Sequence, residues 1–355
     1  MKKSGWVLVG IGALLAALVA MIRALAFFPK PRQLEQVVNL PDAPLLQAGK
    51  RLKVMTFNVQ YMAGKNYIFY YDGGPDTRPS PQDIGKTLVE VARIIQDEDP
   101  DIVLLQEVDD GSKRTDYEDQ LARLLQLMPD NRYNHASAFY WQVKYVPIPQ
   151  INGRIGMKLV TLSKYRIETA VRHQLTQYPP LYFWQHFMPK RAILETRLSV
   201  ADGTTFTALN THLELFSFGT NVQQAQMEKV DEVIAEQGDG AWILGGDFNL
   251  LPPKGGVGQL SEFEEGIYGE TAVLQSFYGK YNAVPSLENV QGANCENWYT
   301  HFPNGEGETV PNKTIDYLFF SKTVPLQNGY VRQHDTLHIS DHLPLIAEIG
   351  VTSNK

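Results

Sequence analysis

Short apolar runs bounded by turn-forming residues constrain the fold of this chain more than any other feature. Eight such runs, each of eight to eleven residues and rich in β-branched or apolar side chains, recur along the 355 residues. Their length and the Gly, Pro, Asn and Asp residues beside them predict β-strands. The predicted strands cover residues 52–59, 101–108, 156–163, 191–200, 204–214, 242–249, 314–321 and 343–350.

Helical periodicity appears in three segments between these strands. Apolar residues recur every three or four positions over residues 84–95, 121–125 and 222–234. Many strands with few helices predict an α/β (α+β) architecture, in which sheets pack on each other and helices lie outside.

Residues 1–28 are expected to form a membrane anchor or a signal peptide. Lys2 and Lys3 begin the segment, and an apolar run with one interruption at Arg23 follows. The run is short for a bilayer span and long for the apolar core of a signal peptide. We favour an uncleaved anchor that holds the body of the protein at the membrane, outside the cytoplasm. Cleavage at the A-x-A pattern of residues 24–26 is the alternative, and it would leave a secreted or periplasmic protein.

The rest of the chain divides at about residue 51. Residues 29–50 contain four prolines and no sustained periodicity, so we expect a semi-rigid linker there. Residues 51–355 contain no repeat, low-complexity tract or second linker, which predicts one domain.

Charge and cysteine content narrow the classes of function. After residue 32 the chain has 27 basic and 39 acidic residues, a net charge of −12. A body this acidic lacks the overall positive charge expected of a protein that holds long nucleic acids, and it suits an enzyme that binds a divalent cation. The single Cys295 excludes an internal disulfide framework and a Cys-based zinc finger. No feature indicates a protein partner, and we expect a monomer.

Polar residues interrupt the ends of the predicted strands. An isolated carboxylate or amide in such a place is costly to bury unless it is hydrogen-bonded or coordinates a cation. Each residue alone is most often a hydrogen-bonded residue of a strand end, a turn or a helix cap. If all of them converge on one shared site, however, the cost of burying them is removed. The residues are Asn58, Glu107, Asn210, His212, Asp247, Asn249, Asp316, Asp341 and His342.

The motifs that contain these residues resemble, in their order, the endonuclease/exonuclease/phosphatase superfamily with its DNase I-like fold. They are an Asn at the end of the first strand, then QE, NTHLE, GDFN, IDY and SDH, and the resemblance covers roughly residues 52–350. It implies a four-layer sandwich of two mixed, mainly antiparallel β-sheets flanked by helices, with the active site at one end. It also implies Mg²⁺-dependent, sometimes Mn²⁺-dependent, hydrolysis of a phosphate ester by in-line attack of water.

The resemblance implies roles at the metal and the substrate. Glu107 would be the principal metal ligand, with Asn58 beside it at the metal and the phosphate. Asp341 would bind a metal-bound water or a second cation. Asn58 and Asn210 are also expected among the substrate-binding residues.

The resemblance implies catalytic roles for five further residues. Asp247 would orient or deprotonate the attacking water, and Asn249 would hold that water or a phosphate oxygen. His342 would donate to the phosphoryl oxygens, while Asp316 fixes its tautomer and raises its pKa. His212 would be a second donor to the phosphate.

The substrate is left open between two classes. The THL form of the histidine-containing strand resembles the phosphatase, sphingomyelinase and general phosphodiesterase branches, whereas abasic-site endonucleases usually lack that histidine. Together with the N-terminal segment, this favours a membrane-associated phosphodiesterase or phosphatase that acts on a lipid or a small phosphoester. An exported or anchored nuclease that acts on DNA or RNA is the alternative.

Three aromatic segments and one long irregular stretch have two interpretations each. Residues 66–74, 138–147 and 178–191 could contact lipid or pack over the edge of the sandwich. Arg191 could bind an anionic group or simply begin a strand. Residues 252–311 are expected to form a long excursion near the site, in which Trp298, His301 and Phe302 could shape specificity. For the aromatic segments we favour packing over the edge of the sandwich.

Overall fold

The apolar runs pair into two mixed sheets of seven strands each. These counts refer to the residues that the computed structural model describes, which are 2–128, 133–178, 183–217, 219–260, 262–268, 272–305 and 309–351. In spatial order, the first sheet contains β1 (Arg32–Glu35), β7 (Ile167–Gln174), β8 (Ala192–Ser199), β9 (Thr205–His212), β10 (Ala241–Asp247), β12 (Asp316–Phe320) and β11 (Asn282–Val284). The second contains β13 (Leu326–Val331), β14 (Leu345–Gly350), β3 (Arg51–Asn58), β4 (Ile102–Asp109), β6 (Gly153–Ser163), β5 (Asn134–Val146) and β2 (Val37–Val38).

Helices cover the outer faces of the two sheets. Apolar side chains of α2 and α3 pack on the second sheet, and those of α4 and α6 pack on the first. A third apolar core lies between the sheets. The four-layer sandwich predicted from the resemblance is therefore confirmed. The α-helices are α1 (Lys2–Leu25), α2 (Pro81–Glu98), α3 (Gln120–Gln126), α4 (Val222–Ala235), α5 (Glu262–Ile267), α6 (Ala272–Lys280) and α7 (Leu287–Gln291).

All eight predicted strands and all three predicted helices are present, but the sequence patterns missed several elements. The aromatic segment 138–147 lies mostly within β5, where Tyr140 is fully buried and Trp141 is 7% exposed. This burial agrees with packing inside the sandwich. Residues 252–311 contain α5, α6, β11 and α7. These elements are too short to give a distinctive pattern of apolar residues. Residues 179–182 of the third aromatic segment lie outside the described residues.

Two parallel strand pairs bring the polar strand ends together. β3 is parallel to β4, and β9 is parallel to β10, so each pair ends on the same side. In the register of the first sheet, Asp247 lies opposite both His212 and Asp316. Asn58 lies opposite the residue that precedes Glu107 in the second sheet. The topology therefore delivers polar residues from five strands to one end of the sandwich.

The segment expected to be a linker is bonded to both sheets. β1 pairs with β7 of the first sheet, and β2 pairs with β5 of the second. The Asn39 amide exchanges two hydrogen bonds of 2.8 and 2.9 Å with the backbone of Ile167. Leu46 is fully buried and pairs with Val200. Strands of two and four residues are too short to give a sequence pattern, which is why this segment was expected to be irregular.

The helix α1 extends away from these layers with its apolar side chains exposed. Its stretch Trp6–Leu25 is long and apolar enough to cross a membrane, by length and composition. Both an anchor and a signal peptide meet this criterion, so the two interpretations of residues 1–28 stay predictions.

The pairing of residues 32–46 predicts that they stabilise the domain. A chain that begins at residue 27 keeps β1, β2 and the buried Leu46, whereas one that begins at residue 51 loses them. We expect the shorter chain to have a Tm lower by about 5 °C or more, because a few kcal/mol of pairing and burial are lost. Thermal unfolding followed by circular dichroism measures this difference, and equal Tm values would contradict it.

Candidate active site

A cavity of about 540 Å³ opens where the parallel strand pairs end. Asn58 and Asp316 do not line it, but their side chains bond to residues that do. The predicted residues that line the cavity are Glu107, His212, Asp247, Asn249, Asp341 and His342. Eight of the nine predicted residues are therefore in one constellation.

Glu107 reaches the cavity because β4 is irregular at this point. The pairing of β4 with β6 shifts register between Leu105 and Val108, and Glu107 has a φ of +59°. Positive φ is unfavourable for a residue with a Cβ, and bulges of this kind redirect side chains next to functional sites. The neighbours of Glu107 in β4 are buried in the sandwich, whereas its own carboxylate faces the cavity.

Asp316, His342 and Asp247 lie in series at the floor of the cavity, and the first two are hydrogen-bonded. The Oδ2 atom of Asp316 lies 2.8 Å from Nδ1 of His342, and Nε2 of His342 lies 3.5 Å from Oδ2 of Asp247. Burial alone would lower the pKa of His342, but Asp316, Asp247 and Asp341 outweigh it and raise the pKa to about 10. With this pKa His342 is a cation at neutral pH.

Asp247 is held by donors on three sides. The amide nitrogen of Asn58 lies 3.0 Å from Oδ2, and Nε2 of His212 lies 3.3 Å from the same oxygen. The backbone N–H of Asn249 donates to Oδ1 at 2.9 Å. Burial raises the pKa of Asp247 to about 7, although the positive charge of His342 opposes this shift. A carboxylate with this pKa can accept a proton near neutral pH.

His212 is a neutral imidazole that bridges Asp247 and Tyr140. Its Nδ1 atom lies 3.3 Å from the Tyr140 hydroxyl, on the side opposite Asp247. Burial lowers its pKa well below the usual range, and the charges of Arg191 and His342 lower it further. A neutral ring has one N–H to donate. The ring is thus placed to orient Asp247.

The acidic groups of the cavity are suited to a divalent cation. Burial and the nearby Asp341 raise the pKa of Glu107, which shows that the two carboxylates repel each other. The Oδ1 atom of Asp316 is buried without a hydrogen-bond partner. Mg²⁺ prefers oxygen ligands and needs only one or two carboxylates from the protein. These residues therefore fit a metal, and they would be relieved of repulsion by it.

Asn58 presents its amide nitrogen, and not its oxygen, to the acidic groups. The nitrogen lies 3.2 Å from Glu107 and 3.0 Å from Asp247, while Oδ1 accepts the N–H of Gln60 at 3.0 Å. This orientation supports a role as a donor to carboxylates or to a phosphate. The expected role of Asn58 as a metal ligand stays a prediction.

Two groups of described residues bring three potential metal ligands within 4.8 Å of one another, and both include His342. One adds His301 and Asp341, and the other adds Asp247 and Asp316. His342 already shares its Nδ1 proton with Asp316 and directs Nε2 towards Asp247. We therefore expect an oxygen-bound cation near Glu107 and Asp341 and not one bound by imidazole.

Asn210 corrects one prediction, because it does not reach the cavity. Its amide nitrogen donates to the carbonyls of Leu105 at 3.0 Å and Val160 at 2.8 Å, and its oxygen accepts from Gln106 at 2.8 Å. These bonds join β9 of the first sheet to β4 and β6 of the second. Asn210 is fully buried and links the sheets, so a direct contact with substrate does not follow from its position.

Besides His342, the described residues that line the cavity include two arginines and one lysine with acidic partners. Arg191 was expected either to bind an anion or to begin a strand, and it does line the cavity directly before β8. The pairs are Arg114 with Asp109 at 2.9 Å, Arg191 with Glu214 at 3.6 Å and Lys313 with Glu264 at 2.5 Å. The longest of these distances exceeds a hydrogen bond, and the Nε atom of Arg191 is buried without a hydrogen-bond partner.

The irregular stretch contributes one of the three residues weighed for specificity. His301 lines the cavity, and its ring lies 4.5 Å from the ring of His342. Trp298 and Phe302 do not line this cavity. Lys313 and Tyr268 do line it, and no sequence pattern indicated either residue, because a single Lys or Tyr in an aperiodic stretch is not distinctive.

Comparison with known proteins assigns the family. The sequence model of the Endonuclease/Exonuclease/phosphatase family matches residues 55–342. The chain belongs to this family. Its members are phosphoester hydrolases and are metal-dependent, so the protein is an enzyme of the phosphodiesterase and nuclease type. No curated protein matches the sequence significantly.

Solved structures show the same fold at low sequence identity. An endonuclease/exonuclease/phosphatase from Beutenbergia cavernae DSM 12333 is 19% identical with a TM-score of 0.56, over 86% of this chain and 72% of that one. A family protein from Leptotrichia buccalis C-1013-b is 15% identical with a TM-score of 0.55, over 84% of this chain and 99% of that one. The human nocturnin catalytic domain, solved with a sulfate anion, is 17% identical with a TM-score of 0.52, over 90% of this chain and 98% of that one.

The charge of His342 is predicted to depend on Asp316. Substitution of Asp316→Asn removes the nearest negative charge, so the pKa of His342 should fall from about 10 towards the ordinary histidine range. Its ring would then lose its proton at a lower pH than in the parent. Titration of the His342 ring by NMR in metal-free protein measures the change. An unchanged pKa would mean that Asp247 and Asp341 suffice to hold the charge.

Proposed function

We propose that this enzyme is a Mg²⁺-dependent hydrolase that cleaves a lipid or small phosphoester at a membrane, with Mn²⁺ as the alternative ion. The observation that carries the proposal is the series Asp316, His342 and Asp247 beside Glu107 in one cavity. It combines a proton acceptor near neutral pKa, a protonated donor and a carboxylate for a cation. Hydrolysis of a phosphate ester needs these three functions together.

Glu107 and Asp341 would hold the cation. When bound, Mg²⁺ would polarise a non-bridging oxygen of the phosphate and offset the charge that develops in the transition state. Gln60 and Ser340 orient Asp341 through hydrogen bonds of 2.8 and 3.1 Å to its two oxygens. A ligand fixed in this way loses little freedom when a cation binds.

Asp247 would accept the proton of the attacking water. The water oxygen bonds to phosphorus as the ester P–O bond breaks, and the departing oxygen takes a proton from solvent. Asn58, His212 and the backbone of Asn249 fix the Asp247 carboxylate, which supports one orientation of the water. His342 would donate its Nε2–H to a phosphoryl oxygen while Asp316 holds the opposite side of the ring.

Arg191 would supply a second positive charge to the phosphate. Its guanidinium lies 5.5 Å from the ring of Tyr140, and its charge depresses the pKa of the adjacent His212. Glu214 approaches it only to 3.6 Å, so the guanidinium keeps donors for an anion. Arg191 would therefore supply positive charge to the phosphate, while the neutral His212 orients Asp247.

The charge of the cavity favours a small or lipid phosphoester over a nucleic acid. Among the described residues that line it, Arg114, Arg191 and Lys313 each have an acidic partner, and the single charge of His342 faces the further negative charge of Glu107, Asp247 and Asp341. A nuclease usually presents surplus positive charge to the phosphates on both sides of the cleaved bond. An exported nuclease remains the alternative, and plasmid nicking compared with lipid hydrolysis separates the two.

Loss of the proposed metal ligand or donor should abolish turnover. We expect Glu107→Ala and His342→Ala each to lower the Mg²⁺-dependent hydrolysis of bis-p-nitrophenyl phosphate by at least about 10². The exposed Asp202→Ala provides a matched control, because it also removes a carboxylate. Chelation with EDTA should stop the parent, and added Mg²⁺ should restore it. Equal rates in all four proteins would disprove the proposed site.

The role of Arg191 predicts two linked effects. Arg191→Met should lower kcat by at least about tenfold, because a hydrogen-bonded charge at the phosphate is lost. The pKa of His212 should rise in the same variant, because the Arg191 charge that depresses it is gone. Steady-state kinetics and NMR titration test the two effects separately. A fall in kcat without a change at His212 would place Arg191 elsewhere in the reaction.

A further inference from the structure

One side of the active-site cavity is apolar. We call it the apolar wall, and it consists of Trp141, Met157, Met188, Pro189, Leu215 and Phe216. The structure assigns this wall as a subsite for hydrocarbon, so we propose that the substrate is a phosphodiester whose alcohol carries an alkyl or acyl chain drawn from the membrane. This inference rests on the proposed function and adds the class of the alcohol and its source.

The apolar wall is a continuous part of the cavity. Met157 lies opposite Trp141 in the pairing of β5 with β6, and the Trp141 indole donates to the carbonyl of Phe187 at 2.8 Å. Phe187 directly precedes Met188. The contact of Arg191 with Glu214 joins the segment that contains Met188 and Pro189 to Leu215, which follows Glu214.

The wall offers carbon surface to a ligand next to the reacting groups. Met188, Pro189, Leu215 and Phe216 are only half-buried although they line a concave site. Apolar surface left open in a cavity is a mark of ligand binding. Tyr140 precedes Trp141 and lies beside His212, so a chain on the wall would be attached close to the phosphate.

A second group of lining residues is mostly polar and cannot take a chain at low cost. It contains Asp72, Glu264, Tyr268, Asn304 and Lys313, with Ile267 and Pro303 as its apolar members. Burial of hydrocarbon against ionised groups would desolvate them without compensation. The difference between this group and the wall favours one orientation of the bound diester, with its apolar substituent on the wall.

The N-terminal segment contacts the body of the protein beside this wall. We call residues 27–38 the strap. The Phe28 ring lies 5.9 Å from the ring of His186, which is two residues before Met188. The Phe27 ring lies 5.6 Å from the guanidinium of Arg172.

Arg172 connects the strap to the wall. It is fully buried, and it donates to the carbonyls of Phe139 at 2.9 Å and Lys190 at 2.7 Å. These carbonyls belong to the residues directly before Tyr140 and Arg191. The apolar helix α1 therefore joins the body of the protein close to the segment that carries Met188 and Pro189 of the wall, and a membrane around α1 would be the source of the chain.

A series of synthetic diesters tests the subsite without assuming a headgroup. Full-length protein in phosphatidylcholine nanodiscs is given methyl or hexyl p-nitrophenyl phosphate, the latter below its micelle concentration. Water attacks phosphorus, the bond to the nitrophenyl oxygen breaks, p-nitrophenolate leaves, and the water proton passes to the enzyme. We expect kcat/KM for the hexyl ester to exceed that for the methyl ester by at least about tenfold, because additional methylenes are buried.

Variants connect the gain to the wall. In Met188→Ser and Leu215→Ser the ratio of hexyl to methyl kcat/KM should fall to about twofold or less. Leu326→Ser, at a 42% exposed position outside the cavity, should keep the parental ratio. A parental ratio near one, or a ratio that the wall variants leave unchanged, would overturn the subsite. No hydrolysis of either ester would instead overturn the proposed function and the subsite with it.

A second arm tests the source of the chain. Ten Gly and Ser residues inserted between Ala26 and Phe27 keep α1 but release it from the strap. With hexadecyl p-nitrophenyl phosphate in the same nanodisc, we expect the insertion to lower the rate about tenfold, while the rate on the soluble methyl ester stays the same. Equal rates on the hexadecyl ester would overturn delivery from the membrane, and would favour a free amphiphile as the source of the chain.

Discussion

Buried negative charge at the end of the two sheets is the constraint on which the active site depends. Burial raises the pKa of Glu107 and of Asp247, and the negative charges of Asp341 and Asp316 add to these two rises. Carboxylates in such a place would become protonated or force the strands apart unless cations balance them. The imidazolium of His342 balances a part of this charge, and the family's dependence on metal accounts for the rest.

The same constraint explains why the sheets must be held in fixed register. Asn210 saturates its amide with backbone and side-chain groups of the opposite sheet, and Gly246 lies so close to β9 that a Cβ would be 1.9 Å from the carbonyl oxygen of Thr211. Both contacts lie within a few residues of Asp247 or His212. The packing between the sheets and the close pairing of β9 with β10 thus set the distances on which proton transfer depends, and a shift of one residue in either strand would break the site.

Local patterns in the sequence were sufficient for eight of the fourteen described strands and for most of the floor of the site. A carboxylate such as Glu107 at the end of an apolar run is visible in a window of ten residues, because its burial cost is a local property. Lys313 could not be predicted in this way, since its partner Glu264 is 49 positions away. Arg114 is only five positions from Asp109, but it lies outside any apolar run that would mark it. The strap was missed for a related reason, because two short strands gain their stability from partners more than 90 residues away.

Contacts with the strap also help to explain how the fully buried Arg172 is tolerated next to the apolar wall. Burial lowers the pKa of Arg172 to about 10, and it raises the pKa of Glu35, the nearest acidic group of the strap. Opposite shifts in two groups of opposite charge mean that their mutual attraction does not repay the loss of water. The two backbone carbonyls, the side-chain oxygen of Gln174 and the face of Phe27 therefore provide the compensation. Since those carbonyls precede Tyr140 and Arg191, the segment that leaves the helix α1 also supports the residues that surround the phosphate.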